Sequence, residues 1–292
     1  MEIKASQVKE LRDMSGVAMM ECKRALVECE GDLDKALDLL RSNSSLKAEK
    51  KASRVAADGV IRIISTDSYA TIIEINSETD FAAKDAGFLT FADDIADYVT
   101  KNKIDDISMF SSSEIEEKRL ALIQTIGENI QLRRIETIEF DNSMSVGSYM
   151  HSDGKLATLV VTNNSDENLA KDVAMHIAAS NPLCKTPDDI DNEVLEREKA
   201  IFEVQAKESG KDDAIMNKMV EGKIRKFLAE VSLTSQAFIK DPDMTVGKLL
   251  SENNADVIGY VRFKVGEGIE VESKSFADEV ADQLKSVSYT HL

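Results

Sequence analysis

Hydrophobic positions along the chain follow two periods, and the switches between them divide it into parts. Up to about residue 41 the spacing is helical. Val8 and Leu11 share one face of a first helix, which Ser6 can cap and Ser15-Gly16 ends near Met14. Cys22, Ala25, Leu26 and Cys29 recur at i, i+3, i+4 and i+7 in a second helix, 18–30, that stops at Gly31. Asp32 caps a third, whose stripe is Leu33, Ala36, Leu37 and Leu40. The pattern predicts a three-helix module, 1–45, on a polar tether over 42–53. Met20 lies about 200° around the second helix from Cys22 and shares its side with Val27. This outward apolar pair is either a contact surface or the edge of a small core.

β-branched runs then replace the helical spacing. Residues 60–64 and 69–76 are β-branched runs around Ser65-Thr66-Asp67-Ser68, a strand hairpin, and a helix carrying Phe88, Phe91, Ala92, Ile95 and Val99 follows. The plan repeats with a strand at 148–151, a turn at Asp153-Gly154, a strand at 156–162 and a helix carrying Leu169, Val173 and Ile177. A shift of 87 residues superposes Ala70-Thr71 on Ala157-Thr158, Asn76 on Asn163 and Ala83-Lys84-Asp85 on Ala170-Lys171-Asp172. Two related α+β subdomains result, 55–140 and 141–270, each a small antiparallel sheet with helices on one face.

Inserted in the second is an antiparallel helical hairpin, 191–233. Val194, Ile201 and Val204 mark its first arm, Ser209-Gly210 the bend, and Val220, Ile224, Phe227 and Val231 its second arm. The seam closes on itself or on a second copy, which leaves monomer and dimer both open. Val261, Phe263 and Val265 alternate as a strand returning to the second sheet, and 276–284 forms a last helix within a carboxy-terminal module, 271–286.

Composition narrows the function. With 292 residues, 42% of them hydrophobic, the chain can bury two or more cores. Acidic residues outnumber basic ones by 54 to 36, so a net charge of −18 repels phosphate backbones and argues against a direct nucleic-acid partner. The basic run Lys47, Lys50, Lys51 and Arg54 reads as a solvated linker. No window nears the roughly 18 apolar residues of a membrane helix, and the amino terminus lacks a signal-peptide core. The expected location is therefore the cytoplasm, with no membrane partner. Cys22 and Cys29 lie about 10 Å apart along one helix, too far to bond, and read as small buried hydrophobes. His151, His176 and His291 are scattered, and no Cys or His pair has metal-ligand spacing. GxxxxGK[ST], GxGxxG and GxSxG are all absent. No cofactor, metal, bound nucleotide or nucleophile is expected, so an interaction protein is favoured over an enzyme.

One loop stands out because only the first repeat has it. Thr79-Asp80-Phe81 precedes the first-half helix where the second half has Asp166-Glu167-Asn168. Thr79 suits an N-cap, which puts Asp80 and Phe81 in the first turn, where the free amides favour a carboxylate. The residues alone favour a Phe81 packed in the local core with Asp80 supporting the cap. The other reading makes Phe81 a rigid aromatic wedge at a sheet-to-helix corner.

The segment EINSETDFAAKDAGF at 74–88 resembles the central signature of the elongation factor Ts family. LRDMSGVAMMECKRAL at 11–26 resembles that family's amino-terminal module, GENIQLRR at 127–134 its mid-core segment and KMVEGKIRKFLAEVSL at 218–233 its hairpin arm. The resemblance covers about 1–286 and leaves 287–292 as a non-family tail. Ala82 stands where the family usually has valine, Ser15-Gly16-Val17-Ala18 replaces Thr-Gly-Ala-Gly, and Asp85 often reads Asn.

The resemblance implies a translation elongation factor, a guanine-nucleotide exchange factor that binds elongation factor Tu in its GDP-bound and nucleotide-free forms. It implies that the three-helix module, similar to ubiquitin-associated domains, docks through Arg12, Met19 and Met20 on the partner's nucleotide-binding domain. Thr79, Asp80, Phe81 and Ala82 are implied to intrude and displace the magnesium ion beside GDP. His151 to Gly154 are implied to touch another domain of the partner, and the final helix to return to the nucleotide-binding domain. Assembly as a homodimer or a 2:2 complex through the hairpin stays open. The alternative is a non-catalytic adaptor, and a hydrolase built on Asp80 lacks a partner acid, base or metal.

Overall fold

The chain is described by a computed structural model over residues 3–270, without Ser112 and Ser209. Helix α1 (Ala5–Ser15) closes at Gly16, whose left-handed backbone (φ +67°) lets its N–H reach the Arg12 carbonyl. Ser6 is not its cap. It lies inside the first turn, and the Gln7 side chain accepts from the Lys4 N–H instead. Helices α2 (Met19–Glu28) and α3 (Leu33–Lys51) follow, and Asp32 caps the latter by accepting from the Lys35 N–H at 3.1 Å. Leu11, Leu26, Cys22 and Ala36 are fully buried among the three.

An antiparallel hairpin of β1 (Asp58–Ser65) and β2 (Tyr69–Ser77) leads through one helical turn, α4 (Asp80–Ala83), into α5 (Ala86–Asn102). Helix α6 (Glu114–Ile126) and strand β3 (Ile130–Glu139) come next, and the hydrophobic pattern predicts neither. β3 is an edge strand whose Gln131, Arg133, Arg134 and Glu136 dilute the alternation, and α6 buries fully only Ile115 and Ile123. The strand order is β1-β2-β3. Along β2, Ile73 and Ile75 face the helices with Phe88, Ile95 and Ile123, while Ile72 points to the opposite face.

The second half supplies β4 (Met144–Met150), β5 (Leu156–Asn163) and α7 (Glu167–Ser180), then the hairpin α8 (Asn192–Glu208) and α9 (Asp213–Val231). A short pair, β6 (Ala237–Phe238) and β7 (Asp241–Thr245), precedes α10 (Val246–Glu252) and β8 (Asp256–Lys264), which completes the order β4-β5-β8. Ala157 and Phe263 of this sheet pack on Ile61 and Ile72 of the first. The two sheets thus meet face to face with helices outside, an α+β arrangement of helices and small antiparallel sheets. Ala70 and Ala157, related by the 87-residue shift, are both fully buried in a middle strand. The likeness stops at the helices. α7 is unbroken, whereas Asp85 caps a new helix by accepting from the Gly87 (2.8 Å) and Phe88 (3.3 Å) N–H groups and isolates α4.

Two expectations need correction. The polar tether is helix: α3 continues through Lys51, with Ser44 and Ala48 buried, Lys47 paired with Glu21, and the Lys51 ammonium 3.5 Å from the Ile123 carbonyl. Its serines and lysines are tolerated in a helix because α6 covers one side, and that cover is invisible in local composition. In the hairpin, Ile201 and Val204 face outward, and the first-arm seam runs instead through Phe202 and Ala206, with Phe202 edge-on to Phe227 at 6.4 Å. Gly210 turns the chain at φ +65°. The carboxy-terminal module 271–286 and the tail 287–292 lie outside the described residues. Among the described residues no helix is long and apolar enough to cross a membrane.

Candidate functional site

Thr79 ends the extended backbone after β2 and caps α4, its hydroxyl accepting from the Ala82 N–H at 3.3 Å. That cap sets which side chains of the turn go down and which stay up. Ala82 and Ala83 are buried, whereas Phe81 keeps 82% of its surface exposed. Phe81 is therefore no part of the core, and its ring stands out on the capped turn. Asp80 accepts from the Lys84 ammonium one turn on, at 2.7 Å. This hydrogen bond lowers the Asp80 pKa, the positive charges of Lys84 and Lys155 add to it, and the carboxylate is ionised at neutral pH.

Two carboxylates that the hydrophobic pattern does not single out fasten the loop from beneath. Glu128 accepts from the Thr79 N–H (3.0 Å) and the Thr79 hydroxyl (2.7 Å). Glu78 in return accepts from the Asn129 N–H at 2.6 Å. Glu128 and Asn129 fall in GENIQLRR at 127–134, so the only sequence signal for them is the family resemblance of that segment.

The His151–Gly154 turn approaches the same end of the first sheet. The His151 N–H donates to the Leu156 carbonyl and the Gly154 N–H to the His151 carbonyl, both at 2.9 Å, and Gly154 takes φ +69°. The Gly154 carbonyl accepts from the Ile61 N–H of β1 at 3.0 Å, and Lys155 pairs with Asp58 at 2.7 Å. Asp153 bonds the Lys155 N–H and the His151 imidazole, and both lower its pKa.

Arg12, Met19 and Met20 sit elsewhere, on the three-helix module. Arg12 is exposed in the last turn of α1, and Met19 and Met20 are 45% and 61% exposed in the first turn of α2. The module and the Phe81 loop share α6 as a support: Glu21 of α2 accepts from Gln124 at 3.5 Å, and α6 ends at Gly127, next to Glu128. His176 is structural, fully buried with its imidazole 2.9 Å from the Gln236 amide and accepting from the Ile239 N–H at 3.2 Å. Among the described residues no group of three or more His, Cys, Asp or Glu is placed to hold a metal ion.

A family model described as Elongation factor TS matches residues 78–267. Elongation factor Ts of Hahella chejuensis is 51% identical over 285 residues, which is 97% of this chain and 99% of that protein. The Saccharophagus degradans protein of the same name is 48% identical over 97% of this chain and 98% of its own length. That of Escherichia coli is 47% identical over 97% and 99%. With similarity of this extent along both the family model and whole relatives, the chain belongs to the elongation factor Ts family.

Proposed function

We propose that this chain drives GDP off elongation factor Tu by pressing Phe81, with Asp80 beside it, against the site that holds the magnesium ion. Membership of the family makes it a translation elongation factor that acts as a guanine-nucleotide exchange factor. The observation that carries the finer reading is the exposure of Phe81, 82%, on a turn whose cap and flanks are hydrogen-bonded. A flexible aromatic would lose most of its push to conformational entropy, and an ordered one does not. Magnesium tolerates little distortion of its octahedral shell and ties down the phosphates, so moving its ligands by about an ångström weakens GDP sharply. The factor and GDP then weaken each other by the same ratio. No bond is made or broken on this chain, which acts by differential binding and is not an enzyme.

Docking is assigned to two further surfaces. Arg12, Met19 and Met20 of the ubiquitin-associated-like module, 1–45, meet the nucleotide-binding domain, and apolar methionines exposed on one short turn suit such a contact. The His151–Gly154 turn of the second subdomain, 141–270, meets another domain of the partner, while Thr79 to Ala82 belong to the first, 55–140. The net charge of −18 supports a protein partner over direct nucleic-acid binding. The outward Ile201 and Val204 of the hairpin support self-association as a homodimer or a 2:2 complex.

The test is Phe81→Ala assayed with elongation factor Tu loaded with a fluorescent GDP. Truncating an exposed ring should change stability by no more than about 0.5 kcal/mol. Release should slow by about tenfold or more, since each 1.36 kcal/mol of lost transition-state stabilisation is a factor of ten. Raising free magnesium should blunt the native factor. A well-folded Phe81→Ala variant with a normal release rate would sink the wedge, and a native chain that leaves release unchanged would make it an adaptor.

A further inference from the structure

Helix α4 is four residues long, too short to hold its own geometry in water. Something outside it must keep Phe81 up. From the hydrogen bonds of Glu128 we infer that this residue is the positioning residue of the exchange element: it acts through Thr79 to fix the orientation of Phe81. The proposal rests on the wedge reading and adds the residue that makes the wedge rigid.

The geometry is that of a reciprocal bracket. The Glu128 carboxylate accepts both the N–H and the hydroxyl of Thr79, at 3.0 and 2.7 Å, which leaves the Thr79 oxygen a lone pair to accept the Ala82 N–H. The partner segment is held in exchange, because Glu78 accepts from the Asn129 N–H and the Asn129 amide donates to the Arg54 carbonyl at 2.8 Å. Gly127 makes the bracket reachable. Its φ of +88° ends α6 and turns the chain back so that Glu128 meets a residue 49 positions earlier. Glu128 itself has no place at the tip, which Phe81 and Asp80 occupy.

The experiment is a double-mutant cycle of Glu128→Ala and Phe81→Ala, read as release of fluorescent GDP at saturating factor, with affinity for elongation factor Tu and melting temperature measured on the same samples. Glu128→Ala is expected to slow release by about five- to tenfold, as loss of charge-assisted bonds suggests, with affinity changed far less. Glu128→Gln, which keeps one good acceptor, should fall between Glu128→Ala and the native chain. The double variant should be no slower than Phe81→Ala alone. Additive slowing in the double variant would overturn the proposal, because Glu128 would then act independently of Phe81. A slow Phe81→Ala beside normal Glu128→Ala and Glu128→Gln would overturn the bracket and leave the wedge standing. A normal Phe81→Ala would remove both. If Glu128→Ala melts early, Glu128→Gln alone decides, and a folded Gln variant at the full native rate overturns the proposal.

Discussion

At the scale of single residues, burial marks the groups that hold the fold. His176 has both ring nitrogens engaged and no solvent, and burial pushes its pKa below the ordinary 6.5. The unfolded imidazole takes up a proton as the pH falls through about 6.5, while the folded one stays neutral to lower pH. Protonation therefore favours the unfolded chain, and stability should decline below about pH 6.5. His176→Gln should flatten the dependence of melting temperature on pH between about 7 and 5, whatever its absolute melting point. Equal slopes in both proteins would show that His176 does not carry the effect.

Single elements show where a face is borrowed from a neighbour. The hairpin keeps its own seam of Phe202, Ala206, Val220 and Phe227, but its root belongs to the second core. Leu233 is fully buried beside Val246 and Leu250, the Leu183 N–H donates to the Val231 carbonyl at 2.8 Å, and the Gln236 amide to the Glu230 carbonyl at 2.7 Å. Removing residues 197–225 and closing the gap with a short glycine linker should leave a cooperatively folded remainder by circular dichroism. Extending the deletion through Leu233 should cost a further 2–5 kcal/mol or so, as for other large buried aliphatics, and lower the melting temperature visibly. Equal melting temperatures for the two deletions would show that the root is not part of the core.

Across the whole molecule, one buried carboxylate ties the two sheets together. Glu74 sits fully buried in β2 and accepts from Arg133 (2.9 Å), Arg134 and the Gly266 N–H (2.9 Å) just beyond β8. Arg134 also covers the Phe263 ring of the second sheet at 4.0 Å. Burial pushes the Glu74 pKa up, but the Gly266 amide and the two arginines outweigh it and hold the carboxyl below its usual 4.5. Its contribution is thus present above that value and is lost as pH falls through the lower, folded one. Glu74→Ala should destabilise by about 3 kcal/mol, the low end for a broken buried pair because both arginines reach solvent. It should also make acid unfolding less steep. A chemical denaturation series at neutral and acid pH checks both, and an unchanged midpoint would show that the sheets need no such tie.

What the sequence determined by itself was local. The faces of α2 and α5, the caps at Thr79 and Asp32, and the repeat of a middle strand all follow from helical spacing, from β-branched runs and from donors within three residues. The site was legible as a capped corner carrying Asp80 and Phe81, but the residues alone favour a core Phe81 and that reading is wrong, because a one-turn helix has no period to read. Tertiary structure decided the rest. It made 42–51 helix by laying α6 along it, supplied β3 as the third strand of the first sheet where only β8 of the second was legible, and exposed Phe81. The physical reason is the same in each case: the deciding partner, such as Glu128 for Thr79 49 residues away, is brought near only when the chain has folded.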